Sequence, residues 1–515
     1  MHCGRVARRG SAGGAAGAGV KARPGLSAFG LGLLSALALP PLHVLPVLWI
    51  AVPGLLYLIG TAPGVWGAAQ RGFWFGLGHH LIGLYWITEA IMLESARYWW
   101  LVPLAVPALS ALMAVFIAIP CGLARLVTGW RRLALFAGSW VLFDLARQFF
   151  GTGFPWNPWG SVWAIPGRAG DMMIQPAAWV GTPGLTLATV LVAGLPWLGR
   201  RGWVGAGVVL TCWAGLGAWR LRAPTPPPTG IMAVVVQGNV SHDELRGLAS
   251  AREAFERYLR LTKEGVRAAG GRPSVVIWPE SAAILYDLVH DGGARAAIVE
   301  AARPALGVIA GGLRFADPGG QRQAPYNSMI ALSPDGTVAG VYDKWHLVPF
   351  GEFAPSWAPF AIQIVPGQFA FGSGPATLRI PGVPPFGGMI CYEVIFPGQV
   401  VDEANRPEWL VNITNDSWFG NSAGPRQHLS GARLRAVEEG LPLLRAANTG
   451  ISAGFDAQGR ELGRLDVGVA GTLVLEVPGG RPPTSFSRHG LVIPGLLALM
   501  LAGSSLSRAR HFSDP

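Results

Sequence analysis

The chain has 515 residues, 51% of them hydrophobic and only 13% charged, so it is too long for one ordinary core and too apolar to be wholly soluble. Its net charge of +11 belongs to one part: residues 1–229 carry 16 of the 40 Lys and Arg but only four of the 29 acids, Glu89, Glu94, Asp144 and Asp171. A basic excess confined to the apolar part reads as membrane topology, which removes nucleic acid as a partner.

Residues 1–25 form a basic Gly/Ala-rich leader. Apolar runs at 26–39, 42–60, 66–88, 98–122, 132–149, 177–198 and 203–219 predict seven membrane helices within residues 26–220, since a bilayer asks for about 20 residues per span. No small-residue cleavage site closes the first run, so it is expected to be retained. Lys and Arg favour the loops on the cytoplasmic side: the leader, Arg71, Arg125 with Arg131 and Arg132, and Arg200 with Arg201. Seven spans then put everything after Arg220 outside the cytoplasm. The loop 151–160, with Trp156 and Trp159 among turn residues, reads as an interfacial anchor, and Glu89 as a solvated helix end.

The Pro-rich segment 221–230 is a stiff linker. From 231 to 480 the pattern changes to alternating strands and helices, a layered α/β domain, with hairpin turns at Asp335-Gly336 and Gln458-Gly459. Strands are expected at 231–236, 275–280, 307–314, 327–332, 338–343, 386–391 and 409–414, with paired strands over 443–475; helices are expected at 251–269, 293–304 and 425–440. An eighth apolar helix within 490–505 and a basic tail, 506–515, return the chain to the cytoplasm. The fold class is thus a polytopic α-helical membrane protein with an inserted α/β extramembrane domain.

The four cysteines, Cys3, Cys121, Cys212 and Cys391, lie far apart with no CxxC or Cys/His metal spacing, so neither a disulfide framework, a metal site nor a cofactor is indicated. His79-His80 point about 100° apart on a helix and make a poor chelate. Cys391 differs from the rest, because the run Phe386–Cys391 delivers it to a strand end. Val275–Glu280 and Val341–Lys344 similarly end by presenting a carboxylate and an amine. A thiol, a carboxylate and an ammonium at three strand ends are the parts of an acyl-transfer site, with Cys391 as nucleophile, Glu280 as its base and Lys344 stabilising thiolate and oxyanion.

Trp278-Pro279-Glu280, Asp343-Lys344-Trp345-His346-Leu347-Val348-Pro349-Phe350-Gly351-Glu352 and Ile390-Cys391-Tyr392-Glu393 resemble, in order, the three motifs of the carbon–nitrogen hydrolase (nitrilase) superfamily. Together with seven preceding spans and one following, and with Gly153-Phe154-Pro155-Trp156, Gln237-Gly238-Asn239 and the stretch Asn412–Gly420, the chain is similar to the apolipoprotein N-acyltransferase family of the bacterial inner membrane. The resemblance implies an αββα sandwich with a Glu-Lys-Cys triad facing the periplasm. It implies transfer of a fatty acyl group from a membrane phospholipid to the α-amine of an S-diacylglyceryl-cysteine apolipoprotein, by a ping-pong route through a thioester. It also implies that Glu352 is a second acid beside Lys344 and that Tyr392 and Glu393 support the nucleophile. Many members carry a Lys-Trp pair after Gln237-Gly238-Asn239, where this chain has Val240–Arg246.

A membrane-tethered amidase is the nearest rival, but it leaves eight helices without a task; transport is disfavoured by the scarcity of intramembrane charge. Between Lys344 and the next motif strand, the aromatics Trp357, Phe360, Phe369 and Phe371 follow no helical or strand period, and the long loop that holds them is expected to admit the lipid.

Overall fold

The computed structural model describes residues 23–93, 95–244, 247–316, 324–355 and 368–506. The first half is helical, with α1 (Pro24–Ala36), α2 (Leu48–Gly60), α3 (Val65–Gly83), α4 (Val102–Ala124), α5 (Trp130–Ala146), α6 (Ala177–Gly194) and α7 (Arg200–Leu221) at the seven apolar runs. Among the described residues, the segments Ser95–Ala124, Ala177–Leu198 and Arg200–Leu221 are long and apolar enough to cross a membrane, and Pro24–Ala36, Leu45–Gly60 and Val492–Leu506 are shorter apolar helices. The helices expected to reach residues 88 and 149 stop at Gly83 and Ala146. Helix α3 packs through small residues: a Cβ on Gly76 would stand 2.8 Å from the Ala114 Cα of α4, an approach that van der Waals packing between apolar helices favours.

The expected interfacial anchor is not one. Trp156 and Trp159 are both buried. Trp159 lies 4.6 Å from the Trp140 ring and donates from Nε1 to His79 Nε2 at 3.3 Å, inside the helix bundle. Trp156 donates from Nε1 to Gln427 Oε1 at 2.8 Å. A tryptophan at headgroup level needs only an apolar body and a wet tip; here both tips find protein acceptors, that of Trp159 inside the bundle and that of Trp156 on the α/β domain. Glu89, on the short helix Ile87–Met92, is exposed as expected.

The α/β domain is two six-stranded sheets. One holds β1 (Met232–Gln237), β2 (Ser274–Ile277), β3 (Gly307–Arg314), β4 (Tyr326–Leu332) and β5 (Val338–Asp343); the other holds β6 (Thr377–Leu378), β7 (Phe386–Ile390), β8 (Trp409–Thr414), β9 (Leu443–Ala447), β10 (Ser452–Phe455) and β11 (Glu461–Leu465). The last strand, β12 (Gly471–Glu476), crosses back to pair antiparallel with β1, so the run expected as paired strands is divided between the sheets. Each sheet has a parallel centre, β1-β2-β3 and β7-β8-β9.

Strand alternation builds the layers. Ala233, Val235, Val275 and Ile277 face Ile390, Val411, Ile413 and Leu444 of the second sheet. Val234, Val236 and Val276 point outward to α8 (Leu248–Ala268) and α9 (Gly292–Ala302). On the far side, Met389, Leu410 and Leu443 pack under α10 (Gly424–Glu439), whose other side meets the bundle. This is an αββα sandwich, the nitrilase-like fold. The last helix, α11 (Val492–Leu506), packs against α5.

Helix α10 fastens the two parts together. Arg433 donates to Ala164 O at 3.1 Å and Ile165 O at 2.7 Å and pairs with Asp171 at 2.6 Å. Helix α6 is broken at Gly181, whose φ of 64° is left-handed, and the freed Thr182 N–H donates to Glu438 Oε1 at 2.6 Å, as does the Thr182 hydroxyl. Glu438 thereby caps a helix of the bundle from the other domain, and it pairs with buried Arg435 at 2.8 Å. Replacing Glu438 by Ala leaves Arg435 buried without its ion-pair partner and is expected to cost about 3–5 kcal/mol. Arg303→Ala, which breaks an exposed pair with Glu300, is expected to cost under about 1 kcal/mol. Denaturant unfolding of the purified protein in detergent measures both.

Candidate active site

The three predicted strand ends converge on one point between the sheets. Strand β2 stops at Ile277, three residues earlier than expected, because Pro279 has no N–H to continue the ladder. The chain then turns through Ser281, at φ 59°, and presents Glu280. Lys344 follows β5 directly, and its N–H donates to Asn327 O at 2.9 Å. Strand β7 ends at Ile390, and Cys391 opens a 3-10 turn, Cys391–Ile395, in place of the expected last strand residue. Its φ is 49°, a left-handed conformation that costs a β-carbon-bearing residue about 1–3 kcal/mol and turns the side chain out of the strand.

Lys344 is 1% exposed, with Nζ 3.2 Å from Glu280 Oε1 and 2.9 Å from Glu352 Oε1. Burial works against its charge, but Glu280 and Glu352 outweigh it and hold the ammonium well above the usual lysine pKa. Glu352 is fixed by a tight turn, since its Oε2 accepts from Val348 N at 2.8 Å. Glu280 Oε2 accepts from Asn415 N at 2.8 Å. The Cys391 thiol is pushed up, first by burial and then by the Glu280 charge, against the pull of Lys344. The resting sulfur is therefore a thiol that needs a base, and charges of both signs stand beside it.

Glu393 and Tyr392 hold the nucleophile turn. Glu393 Oε2 accepts from Ile390 N and from the Tyr342 hydroxyl, each at 2.7 Å, and Oε1 accepts from Trp345 N at 2.8 Å and His346 N at 3.3 Å. One carboxylate thus ties the turn before Cys391 to the turn after Lys344. The Tyr392 hydroxyl donates to Gly153 O at 2.7 Å, tying the same turn to the helical part.

Asn327 is a site residue that the sequence reading missed. Its Nδ2 donates to Glu280 Oε1 at 2.7 Å and Glu352 Oε1 at 3.0 Å, so both acids share one amide as well as one ammonium. A polar residue inside the apolar strand Tyr326–Leu332 was the available signal. His428 and Asp416 were also missed: with Cys391 their donor atoms lie within 4.8 Å of one another. This trio does not fit a metal. Both His428 nitrogens and both Asp416 oxygens have protein partners, and the Arg445 guanidinium fills the place of a cation, 2.6 Å from Asp416 Oδ2.

Of the expected lipid-access residues, Trp357 and Phe360 lie outside the described residues. Phe369 is half-buried, and its N–H donates to Glu352 O at 2.9 Å. Phe371 is 56% exposed and edge-on to Phe353, with ring centroids 5.1 Å apart. Where many relatives of the resembled family are expected to carry Trp after Asn239, His242 packs 4.7 Å from the Trp418 ring.

An αββα sandwich whose strand ends meet at one thiol is the fold of the carbon–nitrogen hydrolases, and residues 233–481 match the family model described as Carbon-nitrogen hydrolase. Residues 31–195 match the one described as Apolipoprotein N-acyltransferase N-terminal domain. The apolipoprotein N-acyltransferase of Rhodopseudomonas palustris is 37% identical over 510 residues, covering 93% of this chain and 94% of its own. That of Bradyrhizobium diazoefficiens is 38% identical over 519 residues, covering 94% and 96%. This chain belongs to the apolipoprotein N-acyltransferase family: it is an acyltransferase and a bacterial membrane protein. Among solved structures, a carbon–nitrogen hydrolase superfamily protein from Xanthomonas campestris matches 48% of this chain and 89% of its own, at 20% identity and a TM-score of 0.36.

Burial outweighs the four donors at Glu393 and pushes its pKa up from 4.5 to about 7. The folded protein then binds this proton more tightly than the unfolded chain, so the contribution is complete below pH 4.5 and is lost as pH rises through about 7. The difference in unfolding free energy between the parent and Glu393→Gln is expected to change across this window and to be flat above it. Chemical denaturation at stepped pH measures it.

Proposed function

We propose that this enzyme transfers a fatty acyl group from a membrane phospholipid to the N-terminal α-amine of an S-diacylglyceryl-cysteine apolipoprotein, the last step of lipoprotein maturation, through a thioester on Cys391. The observation that carries the reading is the buried Lys344 ammonium, held between Glu280 and Glu352 beside a protonated thiol. The acceptor is supported by the name that the relatives share.

In the first half, Glu280 takes the thiol proton as the sulfur attacks the ester carbonyl of the donor. The Lys344 ammonium and a main-chain N–H beside the nucleophile stabilise the oxyanion. Collapse breaks the ester C–O bond, and the lysophospholipid leaves with the proton from Glu280. In the second half, the neutral amine attacks the thioester carbonyl and gives a proton to Glu280. The C–S bond breaks, the amide remains on the lipoprotein, and the proton returns to sulfur. Glu352 and Asn327 keep the lysine and the base in place; Tyr392 and Glu393 keep the nucleophile turn in place.

The enzyme sits in the bacterial inner membrane with residues 231–480 in the periplasm, a reading supported by the loop charges and by the eight apolar runs of the sequence. The exposed Phe371, close to Phe369 and to the Glu352 turn, supports lipid entry on that side of the site. A periplasm-dependent reporter fused after Gly230 is expected to be active, and activity of a cytoplasm-dependent reporter there would reverse the orientation.

Mass spectrometry of the purified protein incubated with phospholipid vesicles is expected to show an acyl mass on Cys391 without any acceptor. Cys391→Ala should abolish it; Glu280→Gln and Lys344→Met should each slow it on the order of 10³-fold or more, and their combination little further, because the groups act as a unit. Phe371→Ser should slow acylation by vesicles more than by a short-chain soluble ester. Acyl transfer that needs both substrates together, with no thioester in the absence of acceptor, would exclude the two-step scheme.

A further inference from the structure

Cys391 holds a left-handed backbone that only its surroundings can enforce. Glu393 grips the chain just before it, through Ile390 N, but the carbonyl of Cys391 itself is gripped by another group: His428 Nε2 lies 3.0 Å from Cys391 O. A carbonyl oxygen can only accept, so Nε2 carries the proton. His428 is fully buried on α10, and its Nδ1 faces Asp416 Oδ1 at 2.9 Å and Arg445 Nη2 at 3.0 Å.

Behind this imidazole stands a closed ring of buried partners. Arg445 Nη2 donates to Asp416 Oδ2 at 2.6 Å, and its Nη1 donates to Asn412 Oδ1. Asn412 Nδ2 donates to Met389 O at 3.3 Å, which returns the network to β7 two residues before the nucleophile. Thr414 donates its hydroxyl proton to Asp416 Oδ1 at 3.0 Å. The ring therefore holds Met389 O and Cys391 O. On its outer side, the His428 ring rests 5.5 Å from Trp156 of the helical part and 5.8 Å from Phe419.

We propose that His428 is a positioning residue for the acyl-transfer reaction, which pins the Cys391 carbonyl through Nε2–H while Asp416 and Arg445 fix its ring. This rests on Cys391 being the nucleophile. The pin works through orientation: if the carbonyl rotates toward ordinary strand geometry, the sulfur swings away from Glu280 and Lys344, and a displacement of about 1 Å at a reacting atom costs on the order of 10²-fold in rate. Burial, and then the Arg445 charge, lower the pKa of His428 against the pull of Asp416 and of the Cys391 carbonyl, and Nε2–H donates to that carbonyl whether or not Nδ1 also carries a proton.

Two side chains separate this role from plain core packing. The amide nitrogen of Gln reaches the position of Nε2, whereas that of Asn reaches only Nδ1. His428→Gln is expected to keep the rate of Cys391 acylation within a few-fold. His428→Asn is expected to lose about 10²-fold in that rate, with the KM for phospholipid and the folded fraction unchanged. Equal rates in the two variants, or a loss that follows the folded fraction, would overturn the proposal. Nitrogen-15 histidine NMR of the unmutated enzyme decides independently of how the variants fold. A proton on His428 Nε2 supports the pin; an Nδ1–H tautomer with bare Nε2 removes it. Loss of acylation in Cys391→Ala tests the nucleophile separately, so failure of the pin and failure of the thioester reading are distinguishable.

Discussion

The site depends on an ammonium that is closed off from bulk solvent. Taking Lys344 out of solvent costs several kcal/mol, and only well-placed opposite charge offsets it. Glu280 and Glu352 supply that charge, and Asn327 binds one oxygen of each acid, so that the pair does not close on itself. The four groups come from the ends of β2 and β5, the start of β4 and the turn after Lys344. None of these can move without leaving a buried charge unmatched. The thiol belongs to the other sheet, so the dry core between the sheets, with Val235, Ile277, Ile390 and Ile413, sets the distance between nucleophile and charge. Packing and electrostatics are here one constraint: a strand that slipped by one residue within its sheet would turn its apolar set outward and carry its terminal group away from the site.

Helix α10 shows how the two halves of the chain share this constraint. A helix on the surface of a domain is apolar on one side and polar on the other. Gly424–Glu439 is buried on both sides yet carries Gln427, His428, Arg433, Arg435, Glu438 and Glu439, all buried. Each of these side chains meets a specific partner: Trp156 for Gln427, Cys391 O for His428, Asp171 for Arg433, Thr182 for both Arg435 and Glu438, and Ser487 for Glu439. The same helix touches the nucleophile turn, the bundle and the short helix before α11, so the active site and the membrane part are packed as one body.

These features explain what the sequence could and could not show. Strands with continuous apolar runs that end in Glu280 and Lys344 are legible because a charge after such a run has few reasons to be there. The apolar helices and the two hairpin turns are legible by length and by turn chemistry. Asn327 and Arg445 sit inside apolar strands and could have been noticed as polar residues that need partners; what they bind is set by tertiary contact. Trp156 is buried against Gln427, 271 residues further along the chain, and Trp159 against His79 on another helix of the bundle, so tertiary contact and not local sequence decides that neither is an anchor. Helix α10 is legible as a helix, but the partners of its polar side chains lie far away in the sequence, at Trp156, Asp171 and Thr182, and so are set by tertiary contact.

The break at Gly181 links the two domains in time as well as in space. Helix α6 restarts at Thr182-Pro183, and the acceptor that completes its first turn is Glu438, 256 residues downstream. Ribosomal synthesis delivers the helix long before its acceptor, so the interrupted amide has to be met by water or by a transient neighbour until the sandwich is built. Bundle assembly therefore cannot finish before the later domain does. A truncated product that ends before α10 carries an open helix end at the domain seam, which marks it chemically as incomplete.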